Sequence, residues 1–142
     1  ILLKKNYLKI YKNRKKLKIA IGEHLMNFQK SKKILNYRTD ILQPDSNLMP
    51  IDEIIKLFNK SKKIEYILHN WSFPISMLSN FHLAGASENI NLVEYSLIGE
   101  NEKNRLINKK LDIRNGNFYH NSKYGLGYNL NEKYLYKIKF DD

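Results

Sequence analysis

Residues 64–69 read Ile-Glu-Tyr-Ile-Leu-His, a short apolar run that ends at an imidazole, and residues 70–74 read Asn-Trp-Ser-Phe-Pro. Pro74 suits the first turn of a helix, because the N–H that proline lacks would be unpaired there. The stretch therefore predicts a strand over 64–68, a loop that begins at His69 and a helix that opens at Pro74. A side chain capable of acid–base chemistry directly follows the strand.

The same arrangement occurs at three other places in the chain. Short apolar runs also end at Glu23, Asp45 and Glu94, and the intervals from Glu23 through Asp45 and His69 to Glu94 are 22, 24 and 25 residues. Each interval holds one strand, one helix and two loops, so the pattern predicts parallel βα units with right-handed crossovers. A βα repeat with one such residue at each strand end is how a (β/α) barrel builds an active site.

Apolar spacing predicts the other elements. The predicted helices are 2–14, 25–35, 51–59, 74–86 and 131–138, and the predicted strands are 17–22, 40–44, 64–68 and 90–95. Residues 99–110 are polar and turn-like. Asn115-Gly116 predicts a hairpin within 111–130, because Asn-Gly favours a two-residue turn.

The length of 142 residues favours one domain. A complete eight-stranded βα barrel needs roughly 250 residues, and the chain begins at Ile1 rather than at a methionine. We expect a piece of something longer or a truncated product. The expected division is a partial β/α barrel over 1–98 and a C-terminal extension over 99–142.

Composition narrows the function classes. The chain has no cysteine, which excludes disulfides and thiolate chemistry. No apolar run approaches the roughly 20 residues of a membrane span, and the N-terminal residues lack the features of a signal peptide. We expect a soluble cytoplasmic protein without a membrane partner.

The net charge of +11 invites a nucleic-acid function. Arginine is the residue best suited to phosphate and guanine recognition, yet it occurs only at Arg14, Arg38, Arg105 and Arg114. The lysines are spread throughout the chain, which indicates a solvated surface. No nucleic-acid partner is expected.

The four strand-end residues also have a non-catalytic interpretation. Single carboxylates at strand ends are usually helix caps or solvated, and a single histidine is usually structural. Four in register are harder to dismiss, because all would lie at one edge of a parallel sheet. A carboxylate binds hard divalent cations, and an aspartate beside a histidine orients the imidazole. Together these residue types suit proton abstraction beside a carboxylate, with a metal that stabilises the enediolate.

Several short motifs carry a family resemblance. They are Gly22-Glu-His24, Gln43-Pro-Asp45, His69 with Pro74-Ile75, His82-Leu-Ala-Gly-Ala86, Asn89, Leu92-Val-Glu-Tyr95, Asp112-Ile-Arg-Asn-Gly-Asn-Phe118 and Gly125-Leu-Gly-Tyr-Asn-Leu-Asn-Glu132. In this order they resemble the enolase superfamily, in its mandelate racemase/muconate lactonizing enzyme branch, and above all its galactonate dehydratase-like sugar-acid dehydratases. The resemblance covers residues 7–139. It implies an α/β fold, the C-terminal half of a TIM-like (β/α)7β barrel (strands 5–8), with a short C-terminal extension that would pack on a missing capping domain.

The resemblance also implies roles for the strand-end residues. Glu23 would be a ligand of Mg²⁺, with two further ligands expected upstream of Ile1. Asp45 and His69 would form a dyad in which His69 is the general acid/base and Asp45 holds it in position. Glu94 would hydrogen-bond the substrate carboxylate or an enediolate oxygen.

Two residues are weaker candidates for substrate contact. His24 follows the metal-ligand position, and Trp71 lies just after His69. Trp71 could equally pack on a neighbouring loop.

The function implied by the resemblance is that of a fragment of a Mg²⁺-dependent sugar-acid dehydratase, or less readily a racemase, that removes the proton α to a carboxylate. The expected partners are a sugar acid and either a missing N-terminal half or a second copy of the chain. The alternative is a truncated, degenerate and non-catalytic remnant. Ser46-Asn-Leu-Met-Pro50, where the family usually has a Gly-Gly turn, favours that alternative.

Overall fold

The computed structural model describes residues 2–36, 39–121 and 123–139. Its helices are α1 (Leu2–Asn13), α2 (Phe28–Leu35), α3 (Ile51–Lys60), α4 (Pro74–Gly85), α5 (Glu100–Asn104) and α6 (Glu132–Lys139). Its strands are β1 (Ala20–Ile21), β2 (Ile41–Leu42), β3 (Glu65–Leu68), β4 (Ile90–Val93), β5 (Ile113–Arg114) and β6 (Asn117–Phe118). None of the helices in these described ranges has the length and apolar character needed to cross a membrane.

The first four strands form one parallel sheet in the order β1-β2-β3-β4. Ala20 pairs with Ile41, Ile41 with Glu65, and Tyr66 with Ile90, so each strand lies beside its neighbour in sequence. A helix connects each pair of strands. The predicted α/β alternation with a parallel sheet is confirmed, although β1 and β2 are only two residues long and therefore shorter than the apolar runs that contain them.

The main core lies between the sheet and the helices that cross it. Its buried side chains are Leu25, Leu42, Met49, Ile54, Leu57, Phe58, Tyr66, Leu68, Leu83 and Ile90. Helix α3 contributes three of them because apolar residues recur on one of its faces. The Tyr66 hydroxyl donates a hydrogen bond of 3.0 Å to the Leu57 carbonyl inside this core, and burial raises the pKa of Tyr66 to about 12.

Helix α2 begins three residues later than predicted. The Asn27 side chain accepts a hydrogen bond of 2.9 Å from the Lys30 backbone N–H, which makes Asn27 the N-cap. Leu25 lies before the helix and is buried in the main core. The apolar pattern alone placed Leu25 inside the helix, whereas the capping asparagine sets the true start.

The C-terminal segment packs on α4. Met77 and Leu78 of α4 share a second buried cluster with Ile107 and Leu111. The predicted turn-like segment 99–110 contains the short helix α5, which has Glu100 and Glu102 in its first turn. These glutamates favour a helix start because their charges complement the helix dipole.

The predicted hairpin is present as the antiparallel pair β5–β6. Asn115 and Gly116 connect the strands with φ values of 51° and 74°. Positive φ at both positions fits a type I′ turn, the conformation for which Asn-Gly is favoured.

Hydrogen bonds to Asp40 link α1 to the amino end of the sheet. One carboxylate oxygen accepts hydrogen bonds from Arg14 Nη2 at 2.9 Å and from the Tyr11 hydroxyl at 3.2 Å. The other accepts the Ile19 backbone N–H at 2.9 Å. The hydrogen bond from the Ile19 N–H and the charge of Arg14 lower the pKa of Asp40, with burial opposing them. The ionised carboxylate therefore holds the segment that leads into β1.

We expect the stabilisation by Asp40 to depend on pH. Because folding lowers the pKa of Asp40, its contribution is present above the unfolded pKa of roughly 3.9 and is lost as pH falls through the folded pKa. Asp40→Asn should lower the melting temperature at pH 7, and the difference from the wild-type protein should shrink towards pH 3. Thermal unfolding followed by circular dichroism measures this. The control is Asp112→Asn, whose side chain is half exposed; a pH-independent difference for Asp40→Asn would contradict the assignment.

Candidate active site

The residues predicted to carry chemistry lie at the carboxyl edge of the parallel sheet. Glu23 follows β1, His69 follows β3 and Glu94 follows β4. Ligands of open α/β sheets bind outside the carboxyl ends of the strands. This edge is therefore the candidate active site.

Backbone hydrogen bonds continue past the strand ends and hold these positions in register. The Gln43 N–H donates to the Ile21 carbonyl at 2.9 Å, the His69 N–H to the Pro44 carbonyl at 3.0 Å, and the Glu94 N–H to the Leu68 carbonyl at 3.0 Å. The side chains at this edge are thus attached to ordered backbone rather than to free loops.

His69 pairs with Glu94. The distance between His69 Nδ1 and Glu94 Oε2 is 2.6 Å, and the two side chains are 16% and 37% exposed. The Asn70 backbone N–H donates to the same glutamate oxygen at 3.1 Å. This geometry orients the imidazole and places a carboxylate next to it.

Gln43, which belongs to the Gln43-Pro-Asp45 motif but had no predicted role, completes the arrangement. Its Nε2 donates a hydrogen bond of 2.8 Å to Glu94 Oε1. Gln43 follows β2 directly, so its position at a strand end was the available signal. A side-chain amide at such a position is a weaker signal of catalysis than an acid or an imidazole, because it does not titrate.

Asp45 does not contact His69 in the way that the resemblance implies. Asp45 is buried, and its Oδ1 accepts hydrogen bonds of 2.8 Å from both the backbone N–H and the side-chain amide of Asn47. No hydrogen bond or ion pair joins Asp45 to His69, two residues that both lie in the described ranges. The reason is local, since aspartate readily closes an Asx turn with the residue two positions on.

The turn after Asp45 reinforces that local arrangement. The Leu48 and Met49 N–H groups both donate to the Asp45 carbonyl, and Met49 is buried in the main core. The segment 46–50, where the resemblance implies a Gly-Gly turn, therefore forms hydrogen bonds to both the backbone carbonyl and the side chain of Asp45. A catalytic role for Asp45 stays a prediction.

Glu23 and His24 lie at the exposed rim of the edge. The Glu23 side chain is 56% exposed, with Oε2 3.9 Å from His69 Nδ1 and Oε1 3.7 Å from His24 Nδ1. Gly22 precedes them with a φ of 120°, and a Cβ there would approach Leu42 Cδ1 to 3.0 Å. A glycine is therefore required where the chain leaves β1 and turns towards Glu23.

These residues do not by themselves fit a magnesium site. Mg²⁺ requires near-octahedral oxygen coordination, whereas Glu23 is a single exposed carboxylate. Within the described residues, no group of three or more His, Asp or Glu side chains is arranged to bind a metal ion. The expected role of Glu23 as a ligand is a prediction that needs donors from elsewhere.

A cavity of about 410 Å³ adjoins Glu94. Its lining includes Glu94, Asn70 and the exposed side chains of Trp71, Leu97 and Ile98. Trp71 therefore borders open space next to Glu94, and its contact with substrate stays a prediction. The Asn70 side chain is buried, and neither of its amide atoms has a hydrogen-bond partner among the residues that the structure describes.

A larger cavity of about 660 Å³ lies away from these residues, between α4, β4 and the β5–β6 hairpin. Its lining includes His82 and His120, whose rings meet edge to face with centroids 4.3 Å apart. None of the predicted site residues lines it.

The fold is α/β with a parallel sheet, and acidic, imidazole and amide side chains follow neighbouring strands at one edge of that sheet. The sequence pattern of the family described as "Enolase C-terminal domain-like" matches residues 4–134. The chain belongs to the enolase C-terminal domain-like family. Among curated proteins, none matches the chain.

Solved structures of the enolase superfamily share the fold. A superfamily member from Salmonella Typhimurium is 20% identical with a TM-score of 0.79, over 86% of this chain and 32% of that protein. A presumed dehydratase from Salmonella enterica serovar Typhimurium is 21% identical with a TM-score of 0.83, over 94% of this chain and 34% of that protein. A mandelate racemase/muconate lactonizing enzyme from Jannaschia sp. CCS1 is 24% identical with a TM-score of 0.76, over 86% of this chain and 32% of that protein. The chain spans about a third of the length of these proteins.

Proposed function

We propose that this chain supplies the acid–base side of an enzyme that removes the proton α to a carboxylate. The observation that carries the proposal is the His69–Glu94 pair, 2.6 Å apart at the carboxyl edge of the sheet. A histidine positioned by a carboxylate suits general acid–base chemistry near neutral pH. Membership of the enolase C-terminal domain-like family supports the reaction class.

His69 would act as the base in this reaction. Its imidazole accepts the α-proton, and the electron pair of the broken C–H bond moves into the substrate carboxyl group to give an enediolate. A dehydratase would then return a proton to the departing β-hydroxyl. A sugar acid is the substrate class that the family resemblance implies.

The proposed architecture is the C-terminal half of a (β/α)7β barrel. The four-stranded sheet ends in β1 on one side and β4 on the other, and neither strand pairs with another strand on its outer side within the described residues. Unpaired strand edges are templates for pairing with another segment. The proposed partner at these edges is an N-terminal barrel half, or else a second copy of the chain.

The proposal includes Mg²⁺ only if residues outside the described ranges supply further ligands. Glu23 offers one carboxylate, exposed and within reach of solvent. Further oxygen ligands from another polypeptide segment are needed before the ion binds.

The alternative proposal is a non-catalytic remnant of the same family. Two observations favour it, namely the engagement of Asp45 by Asn47 and the single carboxylate at Glu23. A remnant would keep the fold and its hydrogen bonds without turnover.

We expect Mg²⁺-dependent exchange of the α-proton by the complete translated product of the gene. The experiment incubates that protein with a panel of sugar acids in D2O and follows the α-position by proton NMR, with Mg²⁺ or with EDTA. Loss of the α-proton signal of at least one acid, abolished by EDTA, is the expected result. If no acid exchanges with Mg²⁺ present, the catalytic proposal fails and the remnant is supported.

A further inference from the structure

Both carboxylate oxygens of Glu94 are occupied by donors from this chain. Oε2 lies 2.6 Å from His69 Nδ1 and accepts the Asn70 N–H at 3.1 Å. Oε1 accepts Gln43 Nε2 at 2.8 Å. The three side chains of this network follow β2, β3 and β4, three neighbouring strands. Glu94 is thus built into a hydrogen-bond network at the edge, although the resemblance assigns it to the substrate carboxylate.

Asp45, the residue that the resemblance pairs with His69, is engaged elsewhere. Its Oδ1 accepts both donors of Asn47, and its carbonyl accepts two backbone N–H groups of the same turn. The carboxylate that orients the imidazole in this structure comes from the strand on the other side of β3.

We propose that Glu94 replaces Asp45 as the positioning carboxylate of His69, and that Gln43 is a positioning residue that holds Glu94 in place. The catalytic meaning of this inference rests on the proposed function, since it concerns the base of that reaction. The hydrogen-bond geometry itself does not depend on turnover.

The network specifies which imidazole nitrogen carries the proton. An ionised carboxylate only accepts hydrogen bonds, so a neutral His69 in contact with Glu94 holds its proton on Nδ1. The lone pair then resides on Nε2, and within the described residues no hydrogen bond to His69 Nε2 is found. Nε2 is therefore the atom that forms the new N–H bond when the α C–H bond breaks, and the resulting imidazolium lies beside the Glu94 charge.

Gln43 matters because Glu94 is partly exposed. At 37% exposure, the glutamate side chain has solvent-facing alternatives to its contact with His69. The Gln43 hydrogen bond to Oε1 fixes the rotation of the carboxylate, and the backbone of Gln43 is itself held by the Ile21 carbonyl. An amide serves this purpose without adding a second negative charge.

The test is the tautomer of His69 in the purified chain, read from its ring ¹⁵N chemical shifts at a pH that keeps the imidazole neutral. The wild-type protein should show His69 mainly as the Nδ1–H tautomer. Glu94→Ala should shift most of the population to Nε2–H, and Gln43→Leu should shift part of it. Asp45→Asn should leave the tautomer unchanged.

The matched control for the glutamine variant is Gln29→Leu, because Gln29 is exposed on α2; it should leave the tautomer unchanged. Amide spectra confirm that each variant is folded, and Gln43→Leu tests the proposal even where Glu94→Ala does not fold. An Nε2–H tautomer in the wild-type protein, or a tautomer that responds to Asp45→Asn and not to Gln43→Leu, would overturn the inference. The tautomer is measured without substrate, so absent proton exchange with an intact Nδ1–H tautomer would count against the proposed function alone.

Discussion

Replacing His69 by alanine is expected to lower the rate of α-proton exchange by about 10²–10⁴-fold, the range typical of general acid–base catalysis. Imidazole is the side chain type best suited to general acid–base chemistry at physiological pH, and His69 supplies the imidazole of this network. Glu94 cannot readily substitute, because its oxygens already accept hydrogen bonds from Gln43 and Asn70. The measurement is the same NMR exchange assay with the complete gene product and an acid that the wild-type protein exchanges.

The control for this prediction is His120→Ala. His120 is an exposed imidazole on the wall of the larger cavity, where it contacts His82, and its loss should leave exchange within about a factor of two, since surface substitutions of this kind usually have small effects. Equal rates for His69→Ala and the wild-type protein would rule out His69 as the base. Equal losses in both histidine variants would indicate general destabilisation instead.

Leu57→Ala is expected to lower the free energy of unfolding by about 2–5 kcal/mol, as large-to-small substitutions in cores do. Leu57 is fully buried in the main core, and its carbonyl accepts the Tyr66 hydroxyl. The substitution removes apolar contacts between α3 and the sheet and leaves a cavity. Because the free energy of unfolding of a domain is only about 5–15 kcal/mol, this loss would remove a large part of the stability.

Urea unfolding followed by circular dichroism tests this prediction, with Ile55→Ala as the control. Ile55 lies two residues earlier on the same helix but is 45% exposed, so its truncation should cost about 1 kcal/mol or less. Similar losses for the two variants would contradict the burial of Leu57 and the exposure of Ile55 on α3.

The alternating α/β architecture was predictable because its causes are local and periodic. Pro50 and the spacing of Ile51, Ile54, Ile55 and Phe58 predict α3 to within a residue, although the structure exposes Ile51 and Ile55 and buries Leu57. The apolar runs that end at His69 and Glu94 locate β3 and β4. Parallel pairing of neighbouring strands then requires the strand-end residues to share one edge. That inference needs no knowledge of side-chain geometry.

The choice of partners within the site was not predictable from spacing. Whether His69 pairs with Asp45 or with Glu94 depends on the turn after β2, where Asn47 satisfies the aspartate. The contribution of Gln43 depends on a side-chain rotamer that brings its amide to Glu94. Both are decided by tertiary geometry, which the apolar pattern does not encode.

The short helix α5 was likewise not predictable from the apolar pattern. Its five residues lack an apolar face long enough to register as periodic. The Tyr95 hydroxyl donates a hydrogen bond of 2.6 Å to Glu100 in its first turn. Burial and this hydrogen bond raise the pKa of Tyr95 to about 12, so the hydroxyl remains a donor at neutral pH.

The proposed site is a histidine base that Glu94 positions at the carboxyl edge of the sheet. A crystal structure of the chain tests it most directly, through the distances from His69 Nδ1 to the carboxylates of Glu94 and Asp45. We expect Nδ1 to lie within hydrogen-bonding distance of Glu94 Oε2, with Gln43 Nε2 on the other glutamate oxygen. A His69 imidazole bonded to Asp45, or turned away from both carboxylates, would contradict it.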